Sequence, residues 1–129
     1  LNPTVQSYSR LGVCKAPKYI SWSNNNRSML IRIPAASGEY RRMELRSPDC
    51  TANPYIAFAL LIWAGLDGLN NQIILPEKAN VNLYTAGPKD VWDMETLPLT
   101  LSAASKLAEG SEFIRKHLPE SLIEYYCRH

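Results

Sequence analysis

"RRMELRSPD", Arg41–Asp49, is the stretch on which the fold turns. Read as an extended strand, its side chains alternate between faces. Arg42, Glu44 and Arg46 then share one face, and Met43 and Leu45 the other, the natural core side. A solvated, self-paired row of this kind contributes roughly a few tenths of a kcal/mol. The same row also suits a site where two guanidinium groups and a carboxylate meet an anion and a cation.

Working upstream, "MLIRIPA" (Met29–Ala35) sets Met29, Ile31 and Ile33 on one face and Leu30 and Arg32 on the other, with Pro34 ending the run or holding it at an edge. "KYISWS" (Lys18–Ser23) is strand-prone, and the asparagines at 24–26 mark a turn. "ASGEY" is a loop leading into the opening stretch. Arg32 and the Arg42/Glu44/Arg46 row are thereby expected on one face of an antiparallel sheet, with Arg27 at the turn beside them.

Downstream the pattern changes. In "NPYIAFALLIWAGLDGLNN", Asn53 is a good N-cap and Pro54 suits the first helical position. Its residues are apolar nearly all round, which predicts a central buried helix. Asp67 breaks it too soon for a membrane span. "NLYTAGPKDVWDMETLPL" reads as a long surface loop. "LSAASKLAEG" is a short helix, Ser111 caps "EFIRKHL", and Pro119 opens "ESLIEYYCRH", in which Tyr125 and Tyr126 are expected to pack. Strands over 1–50 and helices over 51–129 make a single α+β unit.

Composition narrows the chemistry. The 129 residues are 46% apolar and 20% charged, ordinary for a folded domain. A net charge of +2 is too small to imply nucleic acid. Residues 1–50 nevertheless carry eight Lys and Arg against three acids, whereas the remainder carries six against nine. Most of the early cations are arginine, whose planar fork grips carboxylate or phosphate in two places. Cys14, Cys50 and Cys127 show no zinc or disulfide spacing, and are expected to be idle or packed thiols in a reducing, cytoplasmic setting. His117 and His129 stand alone. The opening "LNPTVQSY" resembles neither a leader nor a natural start, so a piece of a longer chain is expected.

Five stretches, "NPTVQSYSRL", "APKYISWSNNNRSMLIRIP", "RRMELRSPD", "NPYIAFALLIWAGLDGL" and "NLY", occur here in the order and spacing of the C-terminal part of glutamine synthetase. The wording resembles the bacterial type I enzyme. That resemblance implies ATP-dependent joining of glutamate and ammonia through a γ-glutamyl phosphate, with Mg²⁺ or Mn²⁺, in a cytoplasmic homo-oligomeric ring whose sites are shared between subunits. It also implies roles. Glu44 would bind the metal, Arg46 and Arg10 the glutamate, Arg27 the transferring phosphoryl group, and Arg32 and Arg42 the nucleotide phosphates. Tyr84 sits where some bacterial enzymes are adenylylated. The following "TAGPKD" lacks the usual acidic-proline context, which favours a plain loop tyrosine.

The loop between Arg32 and Arg42 is one residue shorter than in the long bacterial form, and "SGEY" lacks a lysine often found there. A nucleotide contact is therefore expected to be missing or supplied otherwise. This chain alone is expected to be inactive and to bind metal weakly. Three alternatives stand beside this: another γ-glutamyl-amine ligase of the superfamily, a non-catalytic structural relative, and an unrelated anion-binding module.

Overall fold

Thr4 and Ser7, three residues apart, cap each other. The Thr4 hydroxyl accepts from the Ser7 amide at 3.1 Å and the Ser7 hydroxyl from the Thr4 amide at 3.2 Å. This reciprocal pair starts a short helix, α1 (Val5–Ser9), in a region whose sequence reads as strand. The computed structural model describes residues 1–13 and 15–128; Cys14 and His129, and the expectations for them, lie outside the described residues.

Three short strands follow: β1 (Trp22–Asn24), β2 (Ile31–Ile33) and β3 (Glu44–Leu45). They form one sheet in the order β1-β2-β3. The β2–β3 pair is antiparallel, with Arg32 opposite Glu44 and Ile31 opposite Leu45. The β1–β2 pair is parallel, Ser23 facing Arg32, which corrects the wholly antiparallel expectation.

Parallel neighbours usually need a long crossover. Here the strands are so short that residues 25–30 suffice to return the chain. Asn25 takes a left-handed φ of 57°, and its side chain accepts from the Ala35 amide at 2.8 Å. Asn26 accepts from the Ser28 amide and hydroxyl at 3.0 and 2.8 Å. The asparagine-rich turn is real, but it feeds a same-direction return rather than a hairpin. Met29 is fully buried, and Leu30, Leu11, Ala16 and Pro17 are enclosed as well.

The strand expected over the opening stretch shrinks to Glu44–Leu45, and Met43, placed by alternation on the core side, is exposed. A single 3-10 turn, Gly38–Tyr40, precedes it. With pairing confined to two residues, alternation stops governing the flanking side chains.

The second half is helical as its caps predict. The Asn53 side chain accepts from the amides of Tyr55 and Ile56 at 3.0 and 3.4 Å and starts α2 (Pro54–Asn70). Thr100 caps α3 (Leu101–Gly110), Ser111 caps α4 (Glu112–His117), and Pro119 precedes α5 (Glu120–Cys127). Arg128 ties the end of α5 to α3 through Glu109 at 3.7 Å. His117 stacks on Trp63 at 4.4 Å, docking α4 on α2.

The central helix is not buried. No residue of α2 is enclosed, and Tyr55, Phe58, Ile62 and Leu69 are broadly exposed. Helix α2 is apolar on every side, while α3–α5 and the N-terminal residues cover only one of them. Tyr125, expected to pack, is likewise exposed. Between α2, α3 and α5 lies an apolar cavity of about 160 Å³. The two halves are stitched together along the segment that leads into β1 and at its first residue. Tyr19 bridges Thr96, with the Ile20 amide on the Glu95 carbonyl and the Leu97 amide on the Lys18 carbonyl, each at 2.8 Å. The Trp22 ring nitrogen donates to the Pro76 carbonyl at 2.7 Å.

Candidate functional site

The β2–β3 register sets Arg32 and Glu44 opposite each other on one face, and their side chains meet. Arg32 Nη1 lies 2.8 Å from Glu44 Oε2, and Arg42 Nη2 lies 3.4 Å from Glu44 Oε1. One carboxylate thus sits between two guanidinium groups, leaving a net positive patch. The hydrogen bond from Arg32 is the main influence holding the Glu44 carboxyl below the usual glutamate value; burial opposes it, and the charges of Arg32 and Arg42 reinforce it. Arg32 is the more enclosed of the two arginines, and its Nε is buried without a partner among the described residues.

Arg46 departs from this row. Its amide bonds the Leu30 carbonyl at 2.9 Å, which fixes the backbone beside β2. Its guanidinium turns to the Met29 carbonyl at 3.4 Å, the Lys15 carbonyl at 3.2 Å and the Tyr84 hydroxyl at 3.3 Å. Among the described residues no bond joins it to Glu44. The Tyr84 hydroxyl lies 2.6 Å from the Arg27 carbonyl and 2.7 Å from that of Lys15. Arg27 therefore enters the network through its backbone, and among the described residues its exposed side chain makes no hydrogen bond or ion pair.

Arg10 stands apart from both groups. It follows α1, and its Nη2 donates to the Asn2 side chain at 2.9 Å and to the Ser47 carbonyl. Its Nε is also buried without a partner among the described residues. The proposed site residues thus form two linked groups and one outlier: Arg32/Arg42/Glu44, Arg46/Tyr84/Arg27, and Arg10.

The full chain, residues 1–129, matches the family described as the glutamine synthetase catalytic domain. This chain belongs to that family. It is similar to the glutamine synthetase of Methanosarcina mazei, with 45% identity over 97% of this chain and 29% of that protein. It is 41% identical to the enzyme of Methanocaldococcus jannaschii, over 97% of this chain and 28% of that one. For a Staphylococcus aureus glutamine synthetase the identity is 44%, over 91% and 27%. Among solved structures it resembles a chain described as a GmaS/ADP complex, with a TM-score of 0.81 and 32% identity, over 97% of this chain and 30% of that one. The chain therefore spans under a third of the length of these relatives.

Within this glutamine synthetase domain piece, the shared face of Arg32 and Glu44 was legible in the strand pattern, whereas Arg42 lies outside β3. The scaffold behind Arg46 and Arg27 was not legible. It is built by Tyr84, by the Lys15 and Met29 carbonyls, and by Asn26 and Ser28, which bond the Val81 carbonyl and the Leu83 amide, each at 2.9 Å. Backbone carbonyls leave no trace in residue type; only the Asn and Ser flanking Arg27 gave a signal.

Proposed function

We propose that the full-length protein is a glutamate–ammonia ligase of the cytoplasm, working as a homo-oligomeric ring with sites shared between subunits. It transfers the γ-phosphoryl group of ATP to the γ-carboxylate of glutamate. Ammonia then attacks the acyl phosphate, the C–O bond to phosphate breaks, and glutamine and inorganic phosphate leave. Such chemistry depends on positioning and on neutralising charge. The observation that carries the assignment is the Glu44 carboxylate held between Arg32 and Arg42 in a chain of this family. The similar solved structure, described as a complex with ADP, supports nucleotide use.

In this reading Arg32 and Arg42 face the nucleotide phosphates, Arg27 offers its exposed guanidinium to the transferring phosphoryl group, and Arg46 and Arg10 hold the glutamate. Glu44 is the metal ligand. Its hard carboxylate oxygens suit Mg²⁺ or Mn²⁺ in kind but not in number, because an octahedral ion needs about six oxygen ligands. Among the described residues no three metal-ligating side chains cluster. The ion would be held by Glu44 together with carboxylates elsewhere in the full-length protein, and would supply charge neutralisation there. The Tyr84 hydroxyl is already engaged by Lys15, Arg27 and Arg46, which supports a structural loop tyrosine over a target for adenylylation.

The test is Glu44→Ala in the full-length protein, with glutamine formation measured from ATP, glutamate and ammonia. Activity is expected to fall about 100-fold or more, the scale of losing one charge-stabilising group. Wild-type turnover in the variant overturns the assignment. Amine competition in the same assay separates ammonia from a larger acceptor.

A further inference from the structure

We infer that Tyr84 is a positioning residue whose hydroxyl couples the guanidinium of Arg46 to the backbone of Arg27, setting two substrate arginines relative to each other. This rests on the roles proposed above for those two side chains.

The assignment follows from proton bookkeeping. A phenol carries one proton and can accept through its oxygen. Two carbonyls lie within reach of the Tyr84 hydroxyl, Arg27 at 2.6 Å and Lys15 at 2.7 Å, so only one can receive its proton at a time. The Lys15 carbonyl already accepts from Arg46 Nη2 at 3.2 Å, whereas the Arg27 carbonyl has no second donor among the described residues. The arrangement that gives every group a partner sends the phenolic proton to Arg27 and leaves the Tyr84 and Lys15 oxygens, 2.7 Å apart, bridged by the Arg46 fork, which donates to both. The Tyr84 oxygen is then free to accept from Arg46 Nη1 at 3.3 Å. The result is a directed chain from Arg46 to Tyr84 to the Arg27 carbonyl, with a cation at its head that polarises the bonds beyond it.

The ring is anchored from behind. The Tyr84 amide donates to the Asn82 side chain at 3.1 Å, the Leu83 amide to the Ser28 hydroxyl at 2.9 Å, and Asn26 to the Val81 carbonyl at 2.9 Å. Residues 26–28 and 81–84 are thus clamped together, with Arg27 in the middle of one segment and Tyr84 at the end of the other. The side chain of Arg27 leaves from a backbone whose carbonyl is held by the same atom that orients Arg46. A shift in either arginine is passed to the other through one oxygen.

Tyr84→Phe in the full-length protein removes that oxygen and keeps the ring. The KM for glutamate is expected to rise about 5- to 20-fold, the effect of losing a hydrogen bond to a charged group. Because Arg27 is the phosphoryl-facing member of the pair, kcat should fall as well, by about 2- to 10-fold, while the melting temperature stays nearly unchanged. In an Arg46→Lys background, where the planar fork is gone, adding Tyr84→Phe should cost less than about 2-fold more. An unchanged glutamate KM, or effects of the two substitutions that simply multiply, overturns the coupling. If the wild-type protein makes no glutamine, the functional assignment fails on its own. The coupling is then read by ¹⁵N NMR of the Arg46 guanidinium, whose slow rotation should be lost in Tyr84→Phe; identical signals in both proteins overturn it.

Discussion

The Glu44 carboxylate lies between Arg32 and Arg42, and the balance of forces on it decides how it titrates. The Arg32 hydrogen bond comes first, burial works against it, and the two positive charges tip the sum toward the ionised form. A carboxyl whose folded pKa lies below its unfolded value stabilises the fold above the unfolded value. That contribution is lost as pH falls through the lowered folded value. The contact therefore persists at neutral pH and opens only below the ordinary glutamate range. Carbon NMR of the Glu44 carboxyl should place its midpoint below the usual 4.5. Arg32→Met should move that midpoint upward by more than Arg42→Met does, because Arg32 holds the shorter bond and is less exposed. Equal shifts in the two variants would mean that long-range charge, and not the 2.8 Å contact, controls the group. At this scale the sequence was informative where chemistry is local: strand pairing sets Arg32 opposite Glu44, whereas Arg42 lies outside β3 and reaches the carboxylate from the preceding loop. It was uninformative for Arg46, whose partners are mostly carbonyls contributed by Lys15 and Met29.

The turn between β1 and β2 shows how an element can be located correctly and still be given the wrong topology. Asparagine favours left-handed backbone and short-range side-chain caps, and both are present at Asn25 and Asn26. Whether the chain re-enters antiparallel or parallel is not decided by those local preferences but by burial at long range: Met29 and Leu30, at the end of the turn, are enclosed, as are Leu11, Ala16 and Pro17. Asn26 is the pin. Its oxygen satisfies the Ser28 amide and hydroxyl, and its nitrogen satisfies the Val81 carbonyl. Asn26→Ala leaves these groups short of partners and should cost about 1–3 kcal/mol. A urea midpoint unchanged from wild type would show that water replaces the side chain at no loss. The helices were easier to read because their caps are local. Asn53, Thr100 and Ser111 each satisfy amides within three residues of themselves.

Across the whole molecule, the apolar stretch that reads as a buried helix instead presents Tyr55, Phe58, Ile62 and Leu69 outward, continuing into Ile73, Ile74 and Leu75. Such a surface exceeds what single exposed side chains explain. The isolated 129-residue chain is therefore expected to self-associate with rising concentration, and Phe58→Ser with Ile62→Ser should return it toward monomer in sedimentation. A wild-type chain that stays monomeric at high concentration would show that the face is well solvated.

The sequence by itself determined the family, the caps that start α2, α3 and α4, and the shared face of Arg32 and Glu44. These rest on local caps, on alternation over a few residues and on motifs kept in order. Only the tertiary structure decided that β1 and β2 run parallel, that Arg46 leaves Glu44 for Tyr84, and that α2 is covered on one side alone. Each of these depends on backbone carbonyls and on space shared by segments tens of residues apart, which side-chain identity along the chain does not encode.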